Sequence, residues 1–247
     1  MAAPEIDPSN SRYTEGAYAR ENPDWHLPDA PFKAADLYDA FRAIHQRNGQ
    51  AQELSIADIG AGAAGVLAEL VAWHGKQYPS LRVHPTGFEI AADAVAIAAQ
   101  HFPHIMMRNK FVGPTDGPFD VTMFVDVLEH VENPWELLRI AHRISRFLVV
   151  RQPLLESFST FRHANYAGQR KQWGHIGFFN YHSFVDMAAA CGWKPLALKL
   201  DSPWEMASDR KHRTSVLKKW FVKWNRQMAS QFIAGFYLNG VFEHAES

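Results

Sequence analysis

Three stretches of the chain carry side chains that could do chemistry together. Ala57-Asp58-Ile59-Gly60-Ala61-Gly62-Ala63-Ala64-Gly65 runs from an apolar segment into a glycine turn with the spacing Gly60-x-Gly62-x-x-Gly65. Backbone amides in such a turn can cradle a nucleotide, although the spacing alone fits several cofactors and also an ordinary tight turn. Glu89 closes the next β-rich run, Gly87-Phe88-Glu89-Ile90. Farther on, Asp126-Val127-Leu128-Glu129-His130-Val131-Glu132-Asn133-Pro134 follows an apolar run that begins Phe119-Asp120.

The carboxylates narrow the choice of cofactor. Asp58 sits between Ala57 and Ile59, where an ionised group is costly unless it meets donors or a cation. A bound pyrophosphate would be repelled by it. A cofactor with a cationic amino group and a sulfonium, such as S-adenosylmethionine (SAM), reverses the sign; the other reading is that Asp58 caps the following helix or accepts loop amides. Glu89, at the carboxyl end of a strand, is placed to accept both hydroxyls of a ribose, a role that suits NAD and SAM equally.

Those residues need a parallel sheet to bring them to one edge. From Leu54 onward, short β-rich runs alternate with helical patterns, the signature of an α/β fold with helices covering the sheet. Strands are expected at Leu54–Ile59, Arg82–Glu89, Ile105–Arg108, Phe119–Val125, Arg146–Arg151 and Trp193–Leu200, with a last one over Gln231–Glu243. Phe119–Val125 is almost wholly apolar after Asp120, as a central strand requires. Helices are expected through Val66–Trp73, over Ile90–His101, from Pro134 to Ile144 with Asn133 as N-cap, and over Ser183–Cys191. Pro153 is expected to end the fifth strand. The polar, aromatic stretch about 153–181 has seven aromatics from Phe158 to Tyr181, which argues for an ordered cover. Residues 1–50 form an arm with a helix starting near Pro31, either closing over the site or packing beneath the sheet, and 51–247 form the catalytic domain.

Bulk properties exclude some classes. The chain has 247 residues, with 25 basic and 26 acidic side chains, so nothing in the overall charge favours nucleic acid as partner. The single cysteine, Cys191, allows no intrachain disulfide and reads as a small buried hydrophobe. No uninterrupted apolar run approaches the roughly 20 residues that span a bilayer, and the polar N-terminus has no secretory pattern. A cytoplasmic location is expected.

In order, ADIGAGAAG, GFEI, FDVTMFVDVLEHVENPWELL and RFLVVRQP resemble the class I SAM-dependent methyltransferases, in particular the branch with an LEH segment after strand four that is similar to small-molecule O-methyltransferases. The resemblance covers roughly Leu54–Trp193. It implies a Rossmann-like, doubly wound, seven-stranded sheet, mostly parallel with an antiparallel last strand. It also implies that Asp58, Gly60, Ala61 and Gly62 line the methionine end of SAM, and that Glu89, with Ile90 beside it, binds the ribose. Asn109 falls at the adenine-contacting position, with Arg108 or Lys110 as alternatives, and Asp126 and Val127 face the methyl-bearing sulfur. The family's third loop glycine falls at Ala64, a departure that is mild if the backbone there keeps a negative φ.

Methyl transfer to oxygen usually needs a base, and His130 and His175 are the candidates by location; His163 and Tyr166 are weaker ones. Each histidine could instead be structural. Glu129 and His130 are adjacent and no third ligand is evident, so no metal site is predicted. Phe158, Phe161, Tyr166, Trp173 and Phe178, with Tyr18 and Trp25, fit either an apolar acceptor pocket or a small core under the cover. The acceptor is expected to be a small molecule, whether aromatic, sugar or lipid-linked. Along 210–228, Leu217, Trp220, Phe221, Trp224 and Met228 share a helical face away from most of Lys218, Lys219, Lys223 and Arg226. Docking of that face on the protein itself is favoured over contact with a membrane surface. An NAD(P)-dependent oxidoreductase or a non-catalytic SAM-binding protein are the rival readings.

Overall fold

The computed structural model describes residues 13, 15–49, 51–163, 166–205 and 215–245. Parts of the expected arm, two residues of the cover, Ala164 and Asn165, and the basic segment from Arg210 to Thr214 lie outside them. A seven-stranded sheet has the order β3-β2-β1-β4-β5-β7-β6. Its strands are β1 (Glu53–Ile59), β2 (Arg82–Phe88), β3 (Met106–Arg108), β4 (Phe119–Val125), β5 (Ser145–Leu154), β6 (Trp193–Asp201) and β7 (Phe236–His244). β1 pairs in parallel with both β2 and β4, and β7 runs antiparallel to its neighbours β5 and β6. The order reverses between β1 and β4, and the crevice at the carboxyl ends of those strands is where α/β sheets of this kind take ligands.

Alternation along the strands divides the core into two layers. Leu54, Ile56, Val121, Met123, Phe147 and Val149 face the helices Ala30–Asn48 and Gly65–Gln77, meeting Leu37, Phe41, Ile44, Leu67 and Leu70. Ala57, Ile59, Phe124, Leu148 and Val150 point the other way, against Leu138 and Ile144 of Pro134–Ile144 and Phe184 of Tyr181–Ala190. Both of those helices start on side-chain caps. Asn133 accepts from the Glu136 amide, and Asn180 forms a capping box with Ser183.

Three expectations need correction. Pro153 lies inside β5, opposite Tyr237 of β7. β4 stops pairing at Arg151, so the proline removes no ladder bond on that side. The last strand starts at Phe236, because Gln231 and Phe232 belong to the helix Arg226–Phe232. The cover contains two short helices, Phe158–His163 and Tyr166–Trp173. Finally, the apolar stripe near the C-terminus is broken at Asn225, whose extended backbone separates Val216–Trp224 from Arg226–Phe232. Val222 is the side chain that the first of these helices buries, while Trp220 and Trp224 stack on each other at 62% and 61% exposure. The favoured docking of the whole stripe therefore does not occur. Among the described residues no helix is long and apolar enough to cross a membrane.

The arm packs on the sheet and also reaches the glycine loop. Its long helix, Ala30–Asn48, packs on the sheet, whereas Trp25 and Leu27 before it lie against the glycine loop: a Cβ on Gly65 would come within 2.8 Å of Leu27.

Candidate active site

The glycine loop is shaped by backbone contacts. The amides of Gly60 and Ala61 both donate to the Phe88 carbonyl, at 2.9 and 3.1 Å. This ties the end of β1 to the end of β2. Gly60 has φ of 72°, and a Cβ there would sit 2.8 Å from Val127 Cγ2, so glycine is needed both for the turn and for the approach of the loop after β4. Ala64 has φ of 62°. The left-handed backbone that the third glycine of the motif would accommodate is thus retained with an alanine in place, and the departure is a strained one, contrary to the milder expectation.

Asp58, at the end of β1, is 2% exposed, and its Oδ1 has no hydrogen-bond partner. Burial raises its pKa well above the usual range and the neighbouring Glu89 adds to this, with Lys33 opposing. The reading in which the loop amides satisfy it is not supported at that oxygen. Glu89 differs. Its Oε2 accepts from the Gly62 amide and its Oε1 from the Ala91 amide, both at 2.9 Å. Burial pushes its pKa up against those bonds, and each oxygen keeps a further lone pair for a ligand.

These residues border a cavity of about 1110 Å³, larger than a single ligand normally needs. Asp58, Gly60, Ala61, Gly62, Glu89, Ile90, Asp126, Val127, His130 and His175 all line it. Asn109 does not: its side-chain amide donates to the Glu89 carbonyl at 2.8 Å, and Lys110 reaches the cavity instead. Of the aromatics suggested for an acceptor pocket, Tyr18, Trp25 and Trp173 line it. Phe158 and Phe161 are exposed, and Tyr166 packs on Phe178 away from it. His163 is exposed as well.

Below Val127 lies a charge network that the sequence reading missed. Asp126, in a left-handed backbone conformation with φ of 56°, accepts two bonds from Arg151 Nη1, at 2.5 and 2.6 Å, and one from Lys33 Nζ at 2.9 Å. Arg151 Nε also donates to Asp36 at 3.1 Å. Burial alone would raise the pKa of Asp126, but Arg151 and Lys33 outweigh it and bring it down to about 2. Burial raises the pKa of Asp36 in spite of its own bond to Arg151. The available signal was Arg151 itself, a cation directly after the apolar run Phe147–Val150 of a central strand, which must find acids when buried.

Across the cavity from the glycine loop stand Glu129, His130 and His175. Glu129 is 1% exposed; Gln152 donates to its Oε2 at 3.3 Å, and its Oε1 has no hydrogen-bond partner. Burial and the nearby Asp126 push its pKa up to about 8. His130 Nε2 lies 3.8 Å from Glu129 Oε1, while its Nδ1 is 3.3 Å from both the Gly174 carbonyl and the Tyr13 hydroxyl. The amides of Ile176 and Gly177 donate to the Glu129 carbonyl at 2.8 and 2.9 Å. This carries His175 of the cover to a ring separation of 5.0 Å from His130. His175 Nδ1 contacts Gln169 Oε1 at 3.2 Å, and burial, aided by His130, lowers its pKa to about 4. The third group that adjacency of Glu129 and His130 could not supply is therefore present: one ligand atom from each of the three lies within 4.8 Å of the others.

The profile of a methyltransferase-domain family matches residues 32–198. No curated protein matches the chain. Among solved structures, it is similar to the plantazolicin methyltransferase BpumL in complex with a monoazolic desmethylPZN analog and SAH (S-adenosylhomocysteine): TM-score 0.60, 13% identity, covering 96% of this chain and 94% of that one. It is also similar to the YcgJ protein of Bacillus subtilis, with a TM-score of 0.54 and 12% identity over 85% of this chain and 100% of that one.

Proposed function

We propose that this chain, which belongs to the methyltransferase-domain family and is a SAM-dependent enzyme, transfers a methyl group to an oxygen of a small-molecule acceptor. The observation that carries the cofactor assignment to particular residues is the unpartnered Oδ1 of buried Asp58 at the cavity wall. A buried carboxylate oxygen of this kind fits a cationic amino group and opposes a pyrophosphate, which disfavours the oxidoreductase reading. Asp58, Gly60, Ala61 and Gly62 would hold the methionine end. Glu89 would use its remaining lone pairs on the ribose, with Ile90 beside it and Lys110, in place of Asn109, toward the base. SAM supplies a methyl group bonded to a cationic sulfonium, and so brings its own electrophile.

What is left to the chain is positioning and handling of the acceptor's proton. Asp126 and Val127 stand at the divide between the two halves of the cavity. Asp126 is fixed there by Arg151 and Lys33 and keeps its charge. His130 and His175 face the far half, where they prepare the acceptor oxygen. The arm, through Tyr13 beside His130, and the cover, through Trp173, border that half, while Trp25 lies against the glycine loop; we assign both segments as covers that keep water from the reacting groups. Calorimetry with SAH tests the reading: micromolar or tighter binding, weakened by Asp58→Asn, is expected, and no binding to the wild-type chain overturns it.

A further inference from the structure

We propose that Glu129, His130 and His175 form a binding site for one divalent transition-metal ion of the zinc type, on the acceptor side of the cavity. The inference deepens the reading above, since it specifies how the histidine pair acts and rests on that reading for the acceptor's position.

Three observations converge. Glu129 Oε1 is buried without a hydrogen-bond partner, and at 3.8 Å from His130 Nε2 it is too far for a hydrogen bond to that ring. Two ligands of a tetrahedral zinc, at bond lengths of about 2.0–2.1 Å, stand about 3.3 Å apart, so a small side-chain movement brings the pair into range. Both imidazoles are also oriented from behind. His130 Nδ1 faces the Gly174 carbonyl and the Tyr13 hydroxyl, and His175 Nδ1 faces Gln169 Oε1; oxygens accepting at those positions favour the tautomer with the proton on Nδ1, so that Nε2 would be the ligating atom. The neighbouring charges, finally, are already matched. Lys33 and Arg151 are held by Asp126, with Asp36 on the far side of Arg151, so neither cation is ion-paired with Glu129. Two imidazoles and one carboxylate are a donor set for zinc and similar ions with positions left open. Because all three residues line the cavity, the open positions would take an oxygen ligand of the acceptor.

The test uses the full chain stripped with a chelator and titrated with Zn²⁺ by calorimetry and with Co²⁺ by visible absorption. One ion per chain is expected, with affinity at least about tenfold weaker in both Glu129→Gln and His175→Ala. Binding of SAH, measured on the same samples, should be retained in both variants and shows that they are folded. No stoichiometric ion on the wild-type chain overturns the proposal, as does an affinity lost in only one variant or in neither. If the ion binds as expected but SAH does not, the metal site stands and the cofactor reading falls.

Discussion

The two halves of the cavity are built in opposite ways. On the cofactor side, the shape comes from backbone: Gly60 and Ala61 amides meet the Phe88 carbonyl, Gly62 and Ala91 amides hold Glu89, and a single side chain, Asp58, projects an unsatisfied oxygen. The proposed acceptor side is made of side chains from distant segments, with Glu129 and His130 after β4 and His175 from the cover, beside the ion-paired Lys33, Asp126 and Arg151. Backbone framing tolerates substitution wherever φ and Cβ space permit. A side-chain lattice fails when one member is removed, because each removal leaves a buried polar partner behind.

The sharpest way to break that contrast is His175→Ala. If the acceptor side depends on individual side chains, kcat for methyl transfer should fall about 10²–10⁴-fold while SAH affinity measured by calorimetry stays within about threefold. Next in size, Arg151→Met leaves Asp36 and Asp126 as buried acids with Lys33 alone to balance them; chemical denaturation should register a loss of about 3–5 kcal/mol. Asp58→Asn probes the side chain that offers the cofactor side its unpartnered oxygen. It should weaken SAH binding about 10–100-fold by loss of a charge-assisted contact, without a comparable loss of stability, since the carboxylate it replaces is itself costly to bury. The smallest effect is a gain. Ala64→Gly relieves a left-handed alanine and should stabilise the fold by about 1 kcal/mol in the same denaturation assay, with activity unchanged.

The same contrast explains what could be read from the sequence. Glu53–Ile59, Phe119–Val125 and Pro134–Ile144 fall at or within one residue of their expected bounds, because each is fixed by local pattern and caps. Asp58 and Glu89 were legible for the same reason: they sit at strand ends next to a glycine turn. Pro153 and Ala64 misled, since their conformations are set by pairing partners and neighbours rather than by their own preferences. Arg151 signalled that it needed acids, but nothing local identified Asp36 and Lys33 as its associates, because they lie on the arm's helix, far from β5 in the chain. His175 joined Glu129 and His130 through two backbone bonds from Ile176 and Gly177, contacts that leave no imprint on spacing.

The proposed acceptor half is bordered by segments outside the sheet, the arm before β1 and the cover after β5, whereas the glycine loop and Glu89 sit at the ends of its strands. Tyr13 of the arm reaches His130 by a 3.3 Å contact, and Trp173 of the cover lines the cavity. Such a division lets a lineage exchange what it modifies while inheriting what it modifies with. Insertions or replacements in two peripheral segments would recut the chamber for a new guest, and the nucleotide berth beneath would pass through unaltered.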